Sequence, residues 1–549
     1  MPNCKQCNNG FEVVDADREF YEKMAMPEPR YCPDCRQQFR WVFRNQNNLY
    51  RRKCDFTGEE MISLYSPDKP YTVYREDIWW GDQWDPLEYG RDFDFTRPFF
   101  DQYNELLLVV PRRGMHQDGT SEGSEYTTFG FNNRNCYLVF AGFYCEDVYY
   151  SMWPGMLKDS MDCLMSLESS LLYECVDCKK CYKCFYCVNS QNCQESYFLD
   201  DCRNCRNCIC CKNLRNKEYH IYNKPVSVEE FESYKNKILQ EGLLKERMSF
   251  DQWKLKLPNS YTHIDHSEDC SGDYIEYARN CHNCFDVLMG AEDMRHCQFC
   301  GWKGKDMMDC SMSGKESELL YQMLATSSAH RCAFVNFCRD CSDIYYSEMV
   351  SSSHNCFGCV GLKRKDYCIL NKQYSKEEYE KLMPRIIEHM RSTGEWGEFF
   401  PRHLSPFGYN ETMAQLYFPL MKEQALEMGF KWCDYETPAP KVVKVIPAKK
   451  LPERIKDIPD DILNWAVECE ASKRPFKIIP QELKFYREHS LPIPRRAPEQ
   501  RSLDRFKYRN PYKLWDRKCA KCQTDIRTSY SPDRPEIVYC ESCYLKEVY

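Results

Sequence analysis

Two sets of paired CxxC knuckles, one at each end of the chain, are the residues best suited to chemistry. Cys4, Cys7, Cys32 and Cys35 lie near the start, and Cys519, Cys522, Cys540 and Cys543 near the end. A thiolate is a soft anionic ligand, and two such knuckles brought together form the tetrahedral Cys4 set of a structural zinc site. Seventeen residues separate the C-terminal knuckles, inside the spacing of zinc sites, and twenty-four separate the N-terminal ones, slightly outside it. Four thiolates fill the coordination sphere and leave no place for a reacting water, so two structural zinc ions per chain are expected.

These knuckles belong to a duplicated module. Residues 4–80 return without a gap at 469–545: Cys4, Phe20, Tyr21, Pro33, Arg36, Arg40, Arg44 and Cys54 fall on Cys469, Phe485, Tyr486, Pro498, Arg501, Arg505, Arg509 and Cys519. Each module holds two ribbon-like units, and only one of the pair keeps its ligands. The second N-terminal unit has Thr57, Arg75 and Ile78 beside Cys54, and the first C-terminal unit has Ser472, Ala497 and Gln500 beside Cys469. Each module thus supplies the site that its counterpart has lost, which leads us to expect the two modules to pair.

Two zinc sites use eight of the 37 cysteines. Most of the rest lie in a second duplication, in which Tyr126, Cys136, Gly142, Cys193 and Cys211 map onto Tyr274, Cys284, Gly290, Cys341 and Cys359. Within each copy, short apolar or aromatic runs recur every eleven or twelve residues, as at Tyr274, Phe285, Cys297, Met308, Leu320, Cys332, Ile344 and Cys356. The Asn, Asp, Ser, Gly and Lys clusters between them read as turns. Short strands that bury no face alone must stack on their neighbours. Two strands per coil would give about twenty-three residues per turn of a β-solenoid, with an antiparallel meander as the rival. After each array a helix begins at a Ser cap with acids in its first turn, SVEEFESYKNKIL and SKEEYEKLMPRII.

In a stacked interior a free cysteine acts as a small hydrophobe. The steps of three at Cys175, Cys178, Cys181, Cys184 and Cys187, and at Cys202, Cys205, Cys208 and Cys211, also invite an iron–sulfur reading. The bacterial ferredoxin run ends in CxxxCP, and no such ending follows here. A packing ladder is the expectation, with these thiols as alternative cluster ligands of an iron–sulfur or thiol redox protein.

The expected fold is mainly β with short helices: duplicated zinc-ribbon modules at both ends flanking a duplicated β-solenoid-like region. The divisions are a tandem ribbon module at 1–80, a connector with a helix at 81–123, a first array at 124–240 and a connector at 241–271. A second array at 272–390, a small aromatic segment at 391–436, an extended Pro/Lys linker at 437–460 and a second ribbon module at 461–549 follow. Such a linker would let the last module reorient.

Net charge is −8, but it is unevenly spread. Arg30 to Lys53 carries +6 and Arg487 to Lys521 carries +7, so basic ends flank an acidic middle. Arg36, Arg40 and Arg44, and their copies Arg501, Arg505 and Arg509, step by four along one helical face with Phe39, Trp41 and Phe43 interleaved. Such a face tracks phosphates of RNA or a ribonucleoprotein surface, or else pairs with acids of its own module or of the arrays. HExxH, GxxxxGK[ST], GxSxG and GxGxxG are all absent. The expected role is a non-catalytic zinc-binding scaffold or adaptor for protein or RNA, with no small-molecule substrate evident. The opening MPNCKQCNNG has no apolar signal core, and the Leu106–Val110 run is too short to cross a bilayer, so a reducing cytoplasm and no membrane are expected.

The stretches CPDCRQQFRWVFRNQNNLYRRKC, LYSPDKPYTVY, WDPLEYGRDFDFTRPFF, YNKPVSVEEF, NKQYSKEEYEKL and FKIIPQELKFYREHSLPIPR are similar to those of a family of uncharacterised cysteine-rich bacterial proteins with terminal zinc ribbons, across most of the chain. Some relatives carry a CaiB/BaiF acyl-CoA transferase label, which implies an α/β domain with a catalytic Asp. Short strands and knuckles do not fit that implication. The resemblance also implies cysteines at the second ribbon, from which Thr57, Arg75 and Ile78 depart.

Overall fold

The computed structural model describes residues 1–314 and 316–549. Strand outweighs helix, 31% against 25%. The terminal modules carry the same elements in the same order at the sequence offset. The helices Asp15–Lys23 and Pro33–Trp41 return as Pro480–Glu488 and Pro498–Phe506. The antiparallel hairpin Tyr50–Lys53 with Glu60–Ser63 returns as Trp515–Lys518 with Asp525–Thr528. Pro33 and Pro498 each open their helix at the first turn, where the missing N–H has no partner to lose.

Between the modules the chain forms two parallel ladders, not an antiparallel meander. In the first, Lys158–Met161, Ser170–Tyr173, Tyr182–Phe185, Gln194–Asp200 and Arg206–Lys212 pair in chain order, and Tyr182 lies opposite both Ser170 and Gln194. The step is twelve residues, half the coil expected from the sequence. Isolated bridges such as Gly155 to Leu167 and Leu164 to Val176 carry the same step between the longer strands.

A frame of three residues runs inside this step. From Leu138 to Asn216 nearly every third residue has a positive φ, including Trp153, Asp177, Lys180 and Asn189. The core cluster occupies another position of the same frame: Cys136, Val139, Cys145, Val148, Leu157, Cys163, Leu172 and Cys175 are all separated by multiples of three, as are the thiols through to Cys211. Buried serines fill the gaps at Ser151, Ser160, Ser166, Ser169, Ser190 and Ser196. Each inward Ser bridges two strands: Ser151 Oγ donates to the Tyr149 carbonyl at 2.9 Å and accepts the Cys163 amide at 3.0 Å. Cysteine thiols face the same carbonyls, Cys184 Sγ lying 3.5 Å from Tyr182 O and 3.4 Å from Cys193 O. A narrow interior crossed at every third residue is filled mostly by small side chains, with a leucine at Leu157, Leu172 and Leu199, and Cys fills it with little demand for hydrogen bonds.

The second ladder slips. Its step is eleven at Cys270 to Cys281, thirteen at Met294 to Met307, and twelve at Leu320 to Cys332 and beyond. Gly272 sits where the register first shifts, with φ +140°, and a Cβ there would lie 1.7 Å from the Cys284 carbonyl oxygen. No other residue fits at that crossing.

The ladders lie side by side in opposite senses. Phe129 stacks on Phe337 at 5.5 Å, Trp153 on Phe299 at 4.5 Å, and Lys179 pairs with Glu276 at 2.9 Å, so later residues of one meet earlier residues of the other. Each ladder ends in a helix whose Ser cap forms a capping box, Ser227 with Glu230 and Ser375 with Glu378. The 437–460 segment departs from the expected extended linker: Lys444–Pro447 pairs in parallel with Trp465–Glu468, and Leu451, Ile455 and Ile458 are buried. Apolar residues spaced among its prolines gain a core to enter, which composition alone does not register.

Cys184→Ser should leave stability within about 1.5 kcal/mol, because serine already occupies equivalent inward positions, whereas Cys184→Leu should cost about 1–3 kcal/mol by overpacking. Urea unfolding of the two variants measures the difference.

Candidate metal centres and the cleft between the arrays

Cys4, Cys7, Cys32 and Cys35 converge with their ligand atoms all within 4.8 Å of one another, and so do Cys519, Cys522, Cys540 and Cys543. Tetrahedral bonds of 2.3 Å to zinc set sulfur atoms roughly 3.8 Å apart. Cys7 and Cys32 are 3.7 Å apart, and Cys522 and Cys540 are 3.6 Å apart. The Cys35 thiol's hydrogen bond draws Cys32 down to about 5, and that bond in turn pushes Cys35 upward. Four thiolates this close coexist only around a cation, so both sets fit a metal ion.

The paired units keep the ribbon without the ligands. The Arg75 amide donates to Cys54 Sγ at 3.3 Å and the Ala497 amide to Cys469 Sγ at 3.3 Å, as the Cys540 amide does to Cys519 Sγ at 3.2 Å. A knuckle bond to one sulfur survives where its partners have become Thr57, Arg75 and Ile78, or Ser472, Ala497 and Gln500.

The alternative cluster ligands run close to one another along the array interior without converging on one point. Among the described residues, Cys175, Cys178, Cys181, Cys184, Cys187, Cys202, Cys205, Cys208 and Cys211 form no group of three close enough to hold a metal. All are free and buried. They pass their thiols to carbonyls, as Cys178 Sγ does to Cys187 O at 3.3 Å.

The arginine stripe does not face solvent, which corrects its reading as a phosphate track. Arg36, Arg40, Arg44, Arg501, Arg505 and Arg509 are all buried. Arg501 Nη1 and Arg505 Nη1 hold the two oxygens of Asp162 at 3.0 and 2.7 Å. At the other end Arg36 Nε and Arg40 Nη1 hold the two oxygens of Asp309 at 2.8 and 3.4 Å. The module at each end therefore grips the array farther from it in sequence. This fixes the C-terminal module, which the sequence reading had left free to turn. The modules also meet, with Trp41 and Tyr512 ring centroids 5.7 Å apart and Lys513 Nζ 3.9 Å from Asp34.

A cleft of about 1320 Å³ opens between the two arrays. Its walls include Phe131, Phe143 and Trp302, and the Phe143 and Trp302 rings are 5.4 Å apart. Another part holds His116, stacked between Phe129 at 4.9 Å and Phe337 at 4.2 Å, with Arg113 Nη2 donating to its Nδ1 at 2.6 Å. Burial, with Arg113, Arg44 and Arg112 nearby, keeps His116 well below the ordinary histidine range. Burial lifts Glu76 to about 7 against the pull of Arg113. The sequence reading found no such site because its residues are dispersed along the chain. The signal that was present is apolar residues such as Phe131, Phe143, Trp153 and Met165 at non-core positions of the triplet frame.

No family model, curated protein or solved structure matches this chain.

Cys35→Ser and Cys522→Ser should each reduce bound metal by one ion per chain, and the double variant should retain none, as read by elemental analysis after exhaustive buffer exchange. Asp162→Ala strands two guanidiniums and should destabilise the protein by about 3–5 kcal/mol, with early proteolytic release of the C-terminal module as the second readout.

Proposed function

We propose that this chain is a non-catalytic zinc-binding scaffold whose arrays are four-sided β-solenoids and whose ligand surface is the cleft between them. A twelve-residue step with a left-handed residue every third position supports four sides per coil. Thiolate-only sets at zinc-like separations support zinc, two ions per chain. Neither set leaves an open coordination position, which favours a structural role for both. Thirty-seven cysteines without a disulfide suit a reducing cytoplasm, and no helix among the described residues is long and apolar enough to cross a membrane.

The observation that carries the binding role is the cleft itself: about 1320 Å³ with aromatic walls and convergent polar groups, built where two bodies meet. The buried salt bridges at Asp162 and Asp309 hold its walls in place without entering it. Five of the six stripe arginines are buried away from the cleft or held by carboxylates, and Arg44 reaches open space only inside the cleft, so the cleft is the better candidate for the binding surface.

Ala325 lines the cleft with a positive φ, a conformation that Trp153 adopts on the opposing array, so a bulky ring is sterically tolerable there. The neutral solvatochromic dye prodan should bind the metal-loaded protein saturably with a blue shift. Ala325→Trp should reduce that binding at least tenfold while preserving the circular dichroism spectrum. Unsaturable binding, or equal binding by both proteins, would falsify the cleft as the ligand surface.

A further inference from the structure

Arg44 and Arg509 occupy the same position in the two modules, but their surroundings differ. Arg509 lies between two carboxylates, Asp177 at 2.9 Å and Asp286, whose second oxygen accepts at 3.0 Å. Arg44 meets none. Among the described residues its guanidinium makes one hydrogen bond, Nε to Gln46 at 2.8 Å, and no ion pair. Its face rests on the Phe129 ring at 3.3 Å. It is 3% exposed, and it lines the cleft. A buried charge without a counter-charge is expensive to keep, so such groups are ordinarily paired.

Neighbouring groups have the same deficiency. Arg113 also lines the cleft; among the described residues its one carboxylate partner is Glu76 at 3.4 Å, and its Nε lacks a hydrogen bond. Ser313 and Thr326 are opposite each other in the second ladder and line the cleft, and both have buried hydroxyls without partners. Arg113 can only donate, so His116 Nδ1 accepts from it and the neutral ring carries its proton on Nε2. Two guanidiniums lie here with one carboxylate, Glu76, which Arg113 takes, so Arg44 keeps a buried positive charge on the cleft wall where an oxyanion would supply the missing counter-charge.

Resting on the cleft reading above, we infer that the cleft binds a small organic anion, its phosphate or carboxylate oxygens on Arg44 with Arg113 beside it, and its apolar body along Phe131, Phe143 and Trp302. Guanidiniums bind both oxyanions through charge-assisted, often bidentate hydrogen bonds, so Arg44 does not by itself choose between them. The aromatic wall favours a ligand with a ring.

Titration calorimetry of the full-length, metal-loaded protein with inorganic phosphate, phenyl phosphate and benzoate tests this. At least one should bind saturably, and the ringed ligand of the preferred class should bind more tightly than inorganic phosphate. Tighter phenyl phosphate identifies a phosphoryl ligand, and tighter benzoate a carboxylate. Arg44→Gln should weaken binding at least tenfold, Arg44→Lys should weaken it less, and exposed Lys158→Gln should change nothing. If Arg44→Gln does not fold, the Arg44→Lys loss and a ligand-dependent rise in wild-type melting temperature carry the test. No saturable binding of any anion, or equal binding by Arg44→Gln, overturns the inference. If prodan still binds in an Ala325-dependent way, that result leaves the cleft reading standing; if it does not, both fail.

Discussion

Two buried aspartates organise the molecule. Asp162 and Asp309 are fully enclosed, and each carries two guanidiniums from one helix, placed four residues apart so that both reach the same carboxylate. The correspondence extends to the oxygens: Arg501 and its counterpart Arg36 take Oδ2, while Arg505 and Arg40 take Oδ1. Removing such charges from water costs several kcal/mol per ion, and only close geometry recovers it. An arrangement of that kind tolerates little displacement, so it specifies how a module sits on an array more sharply than apolar contact does.

The array interior imposes a second constraint, on size. With an inward residue at every third position and successive strands twelve residues apart, most inward side chains are small, and larger ones such as Leu157, Leu172 and Leu199 are interspersed among them. Cys and Ser are interchangeable there because both place a weakly or strongly polar atom next to the same strand carbonyl. This explains a cysteine content that would otherwise suggest metal or redox chemistry. The aromatic residues that normally fill a core are pushed to the outside of the ladders, where they join the arrays to one another and to the modules.

Much of this was legible in the residues, for physical reasons that differ from part to part. The Cys4 sets were readable because ligand spacing within a knuckle is local, and the duplicated modules because matching residues persisted at one offset. The array thiols were readable as packing, but the pairing was not: the apolar runs mark successive strands of one parallel ladder, and a one-dimensional spacing does not say which neighbours pair. Arg36 with Arg40, and Arg501 with Arg505, do share a helix, but the helices end at Trp41 and Phe506, so Arg44 and Arg509 lie beyond the face on which the sequence put them. Whether it met phosphate or carboxylate depended on Asp162 and Asp309, hundreds of residues away and embedded in the same SMDC-like context as many other acids. The cleft was illegible for the same reason, since Arg44, His116 and Thr326 become neighbours of one space only after the arrays fold back.

The crossed attachment of the modules also sets a timetable. Arg36 is separated from Asp309 by 273 residues and Asp162 from Arg505 by 343. During synthesis at roughly 5–20 residues per second, the first module waits on the order of tens of seconds for the array that will enclose its arginines, and the first array waits longer for the last module. Throughout that interval the nascent chain presents half-built, charged docking faces to the cell. Each end depends on a distant stretch of chain: the arginines of the first module find their carboxylate only after Asp309 has emerged, and Asp162 finds its own only after Arg505 has.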